Sequence, residues 1–183
     1  DDYFQSSLFT IARRRVLWLL ILVLANGLTT KVIAMNDQIL KEIVLLAAFI
    51  PLLIGTGGNV GAQSSTVVIR GLSTQKLKSL GAIKAVVKEA ITGALLGVLM
   101  MLVVFPFAWW QGEGPLIASA VGISLISITT LAATTGAILP LLFDKMRLDP
   151  ALMSSPFITT VTDIAGVFIY LNTAKWLLSS SLN

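Results

Sequence analysis

A polytopic bundle of membrane-spanning α-helices is the fold class this sequence predicts, and three observations predict it. First, of 183 residues 56% are hydrophobic and only 12% are charged, whereas a soluble domain is nearer a quarter charged. Second, the apolar residues gather into five stretches nearly free of formal charge, at 16–33, 43–69, 85–110, 116–143 and 156–178. Each is close to or beyond the roughly 20 residues that a helix needs to cross the ~30 Å hydrocarbon core. Third, the basic residues cluster between these stretches with a regular alternation. Five spans in one domain follow.

Residues 1–10 are polar and aromatic and start without an initiator methionine, so an excised piece whose soluble N-terminal part is missing is expected. The first span follows Arg13, Arg14 and Arg15. It mimics a signal peptide over 16–24, but no small-residue cleavage site follows and apolar character runs on to Ile33, so a retained helix is expected. The loop after it balances Lys31 and Lys41 against Asp37 and Glu42. Between the second and third spans stand Arg70, Lys76, Lys78, Lys84 and Lys88, with the connector GLSTQKLKSLGAI at 71–83. After the third span, QGEGP at 111–115 reads as a tight turn in which two glycines relax the backbone and Pro115 opens the next helix. Trp109 and Trp110 before it, like Trp18 and Trp176, sit where an interfacial aromatic belt is expected. The loop at 144–149 is neutral, and Asp149-Pro150 has the form of a helix cap, with a metal role as its alternative.

Basic residues stay on the cytoplasmic side of short loops. That rule places the N-terminus and the 70–88 segment inside and the C-terminus outside. The net charge of +4 is therefore a topology signal, and no nucleic-acid partner is expected. The sequence has no cysteine and no histidine. Disulfides, thiolate metal sites and the usual transition-metal and proton-relay side chain are excluded. No nucleophile–base constellation is present, so no enzyme is expected. The echo of Ile128-Thr129-Thr130…Gly136 in Ile158-Thr159-Thr160…Gly166 is read as coincidence, because the two helices run antiparallel.

Two spans break the apolar rule. The second carries GTGGNVGAQSS at 55–65. Each glycine weakens a soluble helix by about 1 kcal/mol relative to alanine, but in a membrane glycines admit a second backbone, and Gly57–Gly61 is a GxxxG pair. Glycine also bares backbone carbonyls where they line a cavity. At ~100° per residue Gly55, Asn59, Gln63, Thr66 and Arg70 share one face, which is expected to be wet. In the fifth span Ser155, Thr159, Asp163, Gly166 and Tyr170 share another. Gly93–Gly97 in the third span is a second GxxxG, read as packing.

Asp163 is the one formal charge well inside any span. A centred aspartate costs about 2.5–3.5 kcal/mol on insertion scales, and Lys175 is three turns away. Two readings stand: coordination of an ion or proton, or a packing tie to a polar partner such as Asn59. The surrounding carboxylate, amide, hydroxyl and carbonyl oxygens suit hard cations such as Mg²⁺, Ca²⁺ and Mn²⁺. Mg²⁺ dehydrates reluctantly, so one or two carboxylates touching a largely hydrated ion are its style of site. One aspartate per chain is thin, and a two-fold dimer with its axis along the pore doubles it. Glu89, which opens the third span, is read either as a capping and locally ion-pairing residue near a helix N-terminus or as part of the cytoplasmic mouth.

At these residues the sequence is familiar. The run 51–66 with its core GTGGNVGAQSS, then Leu148-Asp149-Pro150-Ala151, then SPFITTVTDIAG at 155–166, resembles the membrane domain of the MgtE family of magnesium channels, and the resemblance covers essentially the whole chain. It implies a homodimer of five-helix subunits in the cell (inner) membrane, with a pore lined chiefly by the second and fifth helices. It implies that Asp163 contacts hydrated Mg²⁺, with Asn59, the backbone at Gly55 to Gly58 and a backbone oxygen near Thr159 facing the same ion. Ser155 stands where a member of the family carries asparagine. Mn²⁺, Co²⁺ and Ca²⁺ are further candidates for the same oxygens. The family also carries soluble N-terminal and CBS domains that sense cytoplasmic Mg²⁺, and this piece is expected to lack them. Residues 1–15 then correspond to the end of the connecting helix and 16–183 to the pore domain.

Two rivals come from other classes. A proton- or sodium-coupled solute transporter would use Asp163 as its coupling carboxylate, against which stand the lack of an inverted repeat and of other buried charges. A non-transporting assembly subunit would use the GxxxG faces and leave Asp163 unexplained.

Overall fold

A computed structural model describes residues 8–42, 44–74 and 81–181. The described residues form long helices in chain order: α1 (Leu8–Met35), the short α2 (Asp37–Glu42), α3 (Val44–Ser73), α4 (Ala82–Ala108), a π-helical turn (Trp109–Glu113), α5 (Gly114–Lys145) and α6 (Pro150–Ser181). Five of these are long and apolar enough to cross a membrane, which makes the chain a multi-pass membrane protein.

Each of the five runs beyond its apolar stretch at one end or both, because a helix continues past the hydrocarbon boundary wherever its backbone bonds can still close. Thus α1 begins eight residues before Val16, and α3 carries Gly71, expected in a loop, up to Ser73. The loop after the first span holds α2 instead of irregular chain. Its entry is a turn in which the buried Asn36 donates from Nδ2 to the Val32 carbonyl at 2.7 Å. Asp37 and Lys41 pair across one exposed turn. The connector at 75–80 lies outside the described residues.

The expected turn at 111–115 is a widened helical end. The Trp109 N–H is shared between the Phe105 and Pro106 carbonyls, and Gly114 at φ 75° reverses the chain where an L side chain would be strained. Pro115 then occupies the first turn of α5. At the other end of α5 the chain leaves through a Schellman closure, Leu148 N–H to Phe143 O at 2.9 Å and Arg147 N–H to Asp144 O at 3.0 Å. Arg147 takes the left-handed position at φ 59°, a place usually filled by glycine. Asp149 caps α6 as expected, accepting from the Ala151 N–H at 2.9 Å.

The central helix is α5, which packs against α3, α4 and α6, while α1 lies at the periphery on α6. Glycine sets how close these helices come. Along α4, Gly93 faces Ala133 and the Thr129 carbonyl, and Gly97 faces Thr129 and Ile126, so this GxxxG packs α4 antiparallel on α5. The apolar core joins Leu46, Phe49 and Leu53 of α3 to Val121, Leu125 and Ile128 of α5 and Val167, Tyr170 and Leu171 of α6. Trp109, Trp110 and Trp176 are exposed, whereas Trp18 tilts onto Phe157 of α6 at 6.1 Å.

Candidate functional site

Within α3 the sequence divides its glycines between two faces. Gly57 and Gly61 are buried at a three-helix junction. A Cβ at Gly57 would lie 2.7 Å from Ile128 of α5 and 3.6 Å from Thr162 of α6; one at Gly61 would lie 2.5 Å from Ile158 and 3.2 Å from the Ala132 carbonyl. Gly136 of α5 closes the same junction against the Gly61 backbone. Gly55 and Gly58 have open space beside them. Close packing on one side of α3 thus turns the other side outward, and on it Gly55, Asn59, Gln63, Thr66 and Arg70 are all exposed.

These contacts also set the register between α3 and α6, which run antiparallel. Gly57 opposes Thr162, Gly61 opposes Ile158, and the Tyr170 hydroxyl donates to the Leu46 carbonyl at 3.0 Å. Asp163, one residue beyond Thr162, is therefore level with the turn from Gly55 to Asn59. Thr159 and Ser155 follow on the exposed side of α6, beside Asn59 and Gln63. Gly58 and Asp163 are half-buried, at the seam. Seven of the eight residues singled out from the sequence thus line one continuous outward strip on the α3–α6 pair.

The expected wet face of α6 ends at Asp163. Gly166 and Tyr170 share its helical angle approximately, yet both are buried, Tyr170 completely. At ~100° per residue both return to angles between those of Ser155 and Asp163. What changes along α6 is its neighbour, since Gly166 faces Ile128 of α5 and Ile54 of α3 and the Tyr170 hydroxyl meets the Leu46 carbonyl of α3. The eighth residue, Glu89, stands apart. It is half-buried on α4, which packs on α5 and barely touches α3. It is the eighth residue of its helix, two turns past the N-terminus, so helix capping is not its role.

The side chains of the strip are chemically available. Neither Asp163, Asn59 nor Gln63 makes a hydrogen bond or ion pair among the described residues, so the packing tie between Asp163 and Asn59 is not present. Thr159 donates to the Ser155 carbonyl at 3.1 Å and Thr66 to the Ala62 carbonyl at 2.9 Å. Their hydroxyl oxygens keep lone pairs toward the strip. No group of three or more acidic, histidine or cysteine side chains is assembled among the described residues. One carboxylate with neutral oxygens cannot replace the water of a divalent ion, but it can hold an ion that keeps its water.

At one end the strip deepens into a groove of about 490 Å³ between α3 and the start of α6, bounded by Ala62, Ser65, Thr66, Arg70, Ser155 and Ile158. Face counting from Gly55 missed Ala62 and Ser65. Their signal was small size at positions turned toward α6, which periodicity of polar residues does not register.

The chain matches the family MgtE, described as a divalent cation transporter, over residues 50–173. It is 38% identical over 166 residues to the magnesium transporter MgtE of Thermus thermophilus, covering 91% of this chain and 37% of that protein. It is 33% identical over 175 residues to the magnesium transporter MgtE of Bacillus subtilis, covering 95% of this chain and 39% of that protein. With the magnesium transporter MgtE of Enterococcus faecalis the identity is 35% over 168 residues, covering 90% of this chain and 36% of that protein. The chain thus spans somewhat over a third of the length of these relatives.

Proposed function

The chain belongs to the MgtE family, and on that premise we propose that it conducts Mg²⁺ across the membrane through a pore on the axis of a homodimer. The observation that carries this reading is Asp163, a carboxylate inside a span, level with Asn59 and free of any protein partner among the described residues. An intramembrane carboxylate is costly unless an ion or a polar partner compensates it. The two strips of a dimer, facing one another, put two carboxylates about one axis and give a divalent ion the charge that a single chain lacks.

In this mechanism the ion keeps its inner water. The Asp163 pair supplies the negative field, while Asn59, Gln63, Ser155 and Thr159 and the backbone at Gly55 and Gly58 accept or donate to that water. No side chain in the strip is a strong enough chelator to trap the ion, which favours passage over storage. Mn²⁺, Co²⁺ and Ca²⁺ meet the same oxygens and differ in size and dehydration cost, so they are competitors for the same path.

Uptake into proteoliposomes tests this. With a membrane potential and no gradient of protons or sodium, Mg²⁺ should enter vesicles holding this protein and not empty vesicles. Uptake that demands a proton or sodium gradient would replace the reading with a coupled transporter using Asp163.

A further inference from the structure

We propose that the first three turns of α4 hold an anionic phospholipid, with its phosphate between Lys84 and Lys88 and an acyl chain along Ile83, Val87 and Ile91. Lys84 and Lys88 are exposed and one turn apart, and neither forms an ion pair among the described residues. They border a shallow groove of about 370 Å³ whose remaining lining is Ile83, Val87, Ile91 and Thr92. The two rows, 84–88–92 and 83–87–91, run side by side up the helix. Lysine stems can lie along the apolar row while the ammonium groups reach the headgroup level.

The apolar row does not stop at the groove. Val87, Ile91, Leu95, Val98 and Leu102 continue it at spacings of three and four, and each is between 42% and 66% exposed. A soluble partner would leave most of that ridge uncovered, whereas an acyl chain matches its length and chemistry. Charge selects the headgroup: from Arg70 to Lys88 the chain carries five basic residues and no acidic one. Glu89, the nearest carboxylate, lies about 100° further round the helix and is half-buried. Clusters of this kind beside a span attract anionic lipid, with each lysine contributing about fivefold in affinity. The surface lies on α4, away from the α3–α6 strip, so the proposal requires only that the chain is embedded in a membrane.

Retention of phosphatidylglycerol and phosphatidylcholine by the purified full chain, read by native mass spectrometry, tests it. Wild type should retain phosphatidylglycerol preferentially. Lys84→Gln with Lys88→Gln should lose about 25-fold, and Lys84→Arg with Lys88→Arg should keep most of the preference. Lys145→Gln with Arg147→Gln, exposed charges off this groove, should leave it unchanged. Equal retention by wild type and the double glutamine variant would overturn the proposal. So would an equal loss in the Lys145/Arg147 variant, which would indicate a diffuse field, or displacement of the lipid by soluble glycerol phosphate, which would indicate a free-anion site.

Discussion

An added Cβ at Gly136 would run into the Gly61 backbone, and one at Gly61 would lie 2.5 Å from Ile158. Two positions before Gly57 and one after it, Gly55 and Gly58 meet nothing within 4 Å. The same residue type therefore serves helix contact on one side of α3 and an open backbone on the other. Gly136→Ala and Gly61→Ala should each destabilise the bundle by about 1–3 kcal/mol through overpacking. Gly58→Ala should leave stability unchanged or raise it by up to about 1 kcal/mol. Thermal unfolding in detergent measures the difference; equal loss in Gly58→Ala and Gly136→Ala would contradict the two-face assignment. Altered Mg²⁺ flux in a stable Gly58→Ala protein would then report on the path itself.

The helices were legible because lipid imposes length: a run of about 20 apolar residues has few alternatives to a spanning helix. Their ends were not, since hydrophobicity marks the hydrocarbon and α1 and α3 run beyond it. The cap at Asp149 was readable from a dipeptide, while the Schellman exit at Arg147 was hidden because arginine carries no sign of a left-handed backbone. The outward face of α3 was readable from polar residues at helical spacing. The same counting placed Tyr170 on the wet face of α6, although its ring is buried and its hydroxyl is satisfied by Leu46. Periodicity says which residues share a face; it does not say whether that face meets water or another helix. The helix-terminal reading of Glu89 failed for a related reason, as its helix begins at Ala82, earlier than its apolar run suggests.

At the scale of the molecule, Asp163, without a partner among the described residues, and a strip of neutral oxygens lie on the outside of a single bundle. A pore needs that strip enclosed, and the proposed two-fold axis encloses it with a second copy. The sequence has no cysteine, so a single introduced thiol reports on proximity without background. Asn59→Cys should give covalent dimers with a short bifunctional thiol reagent in membranes, whereas Leu95→Cys, on the exposed ridge of α4, should not. Equal cross-linking at the two positions would contradict the axis.

The central claim is that Asp163 draws the ion through. Its most direct test is Mg²⁺ influx into proteoliposomes holding Asp163→Asn beside wild type at matched protein content, with helix content and dimer cross-linking checked in both. The account predicts that influx nearly vanishes while fold and assembly persist. Wild-type influx through the Asp163→Asn protein would contradict it.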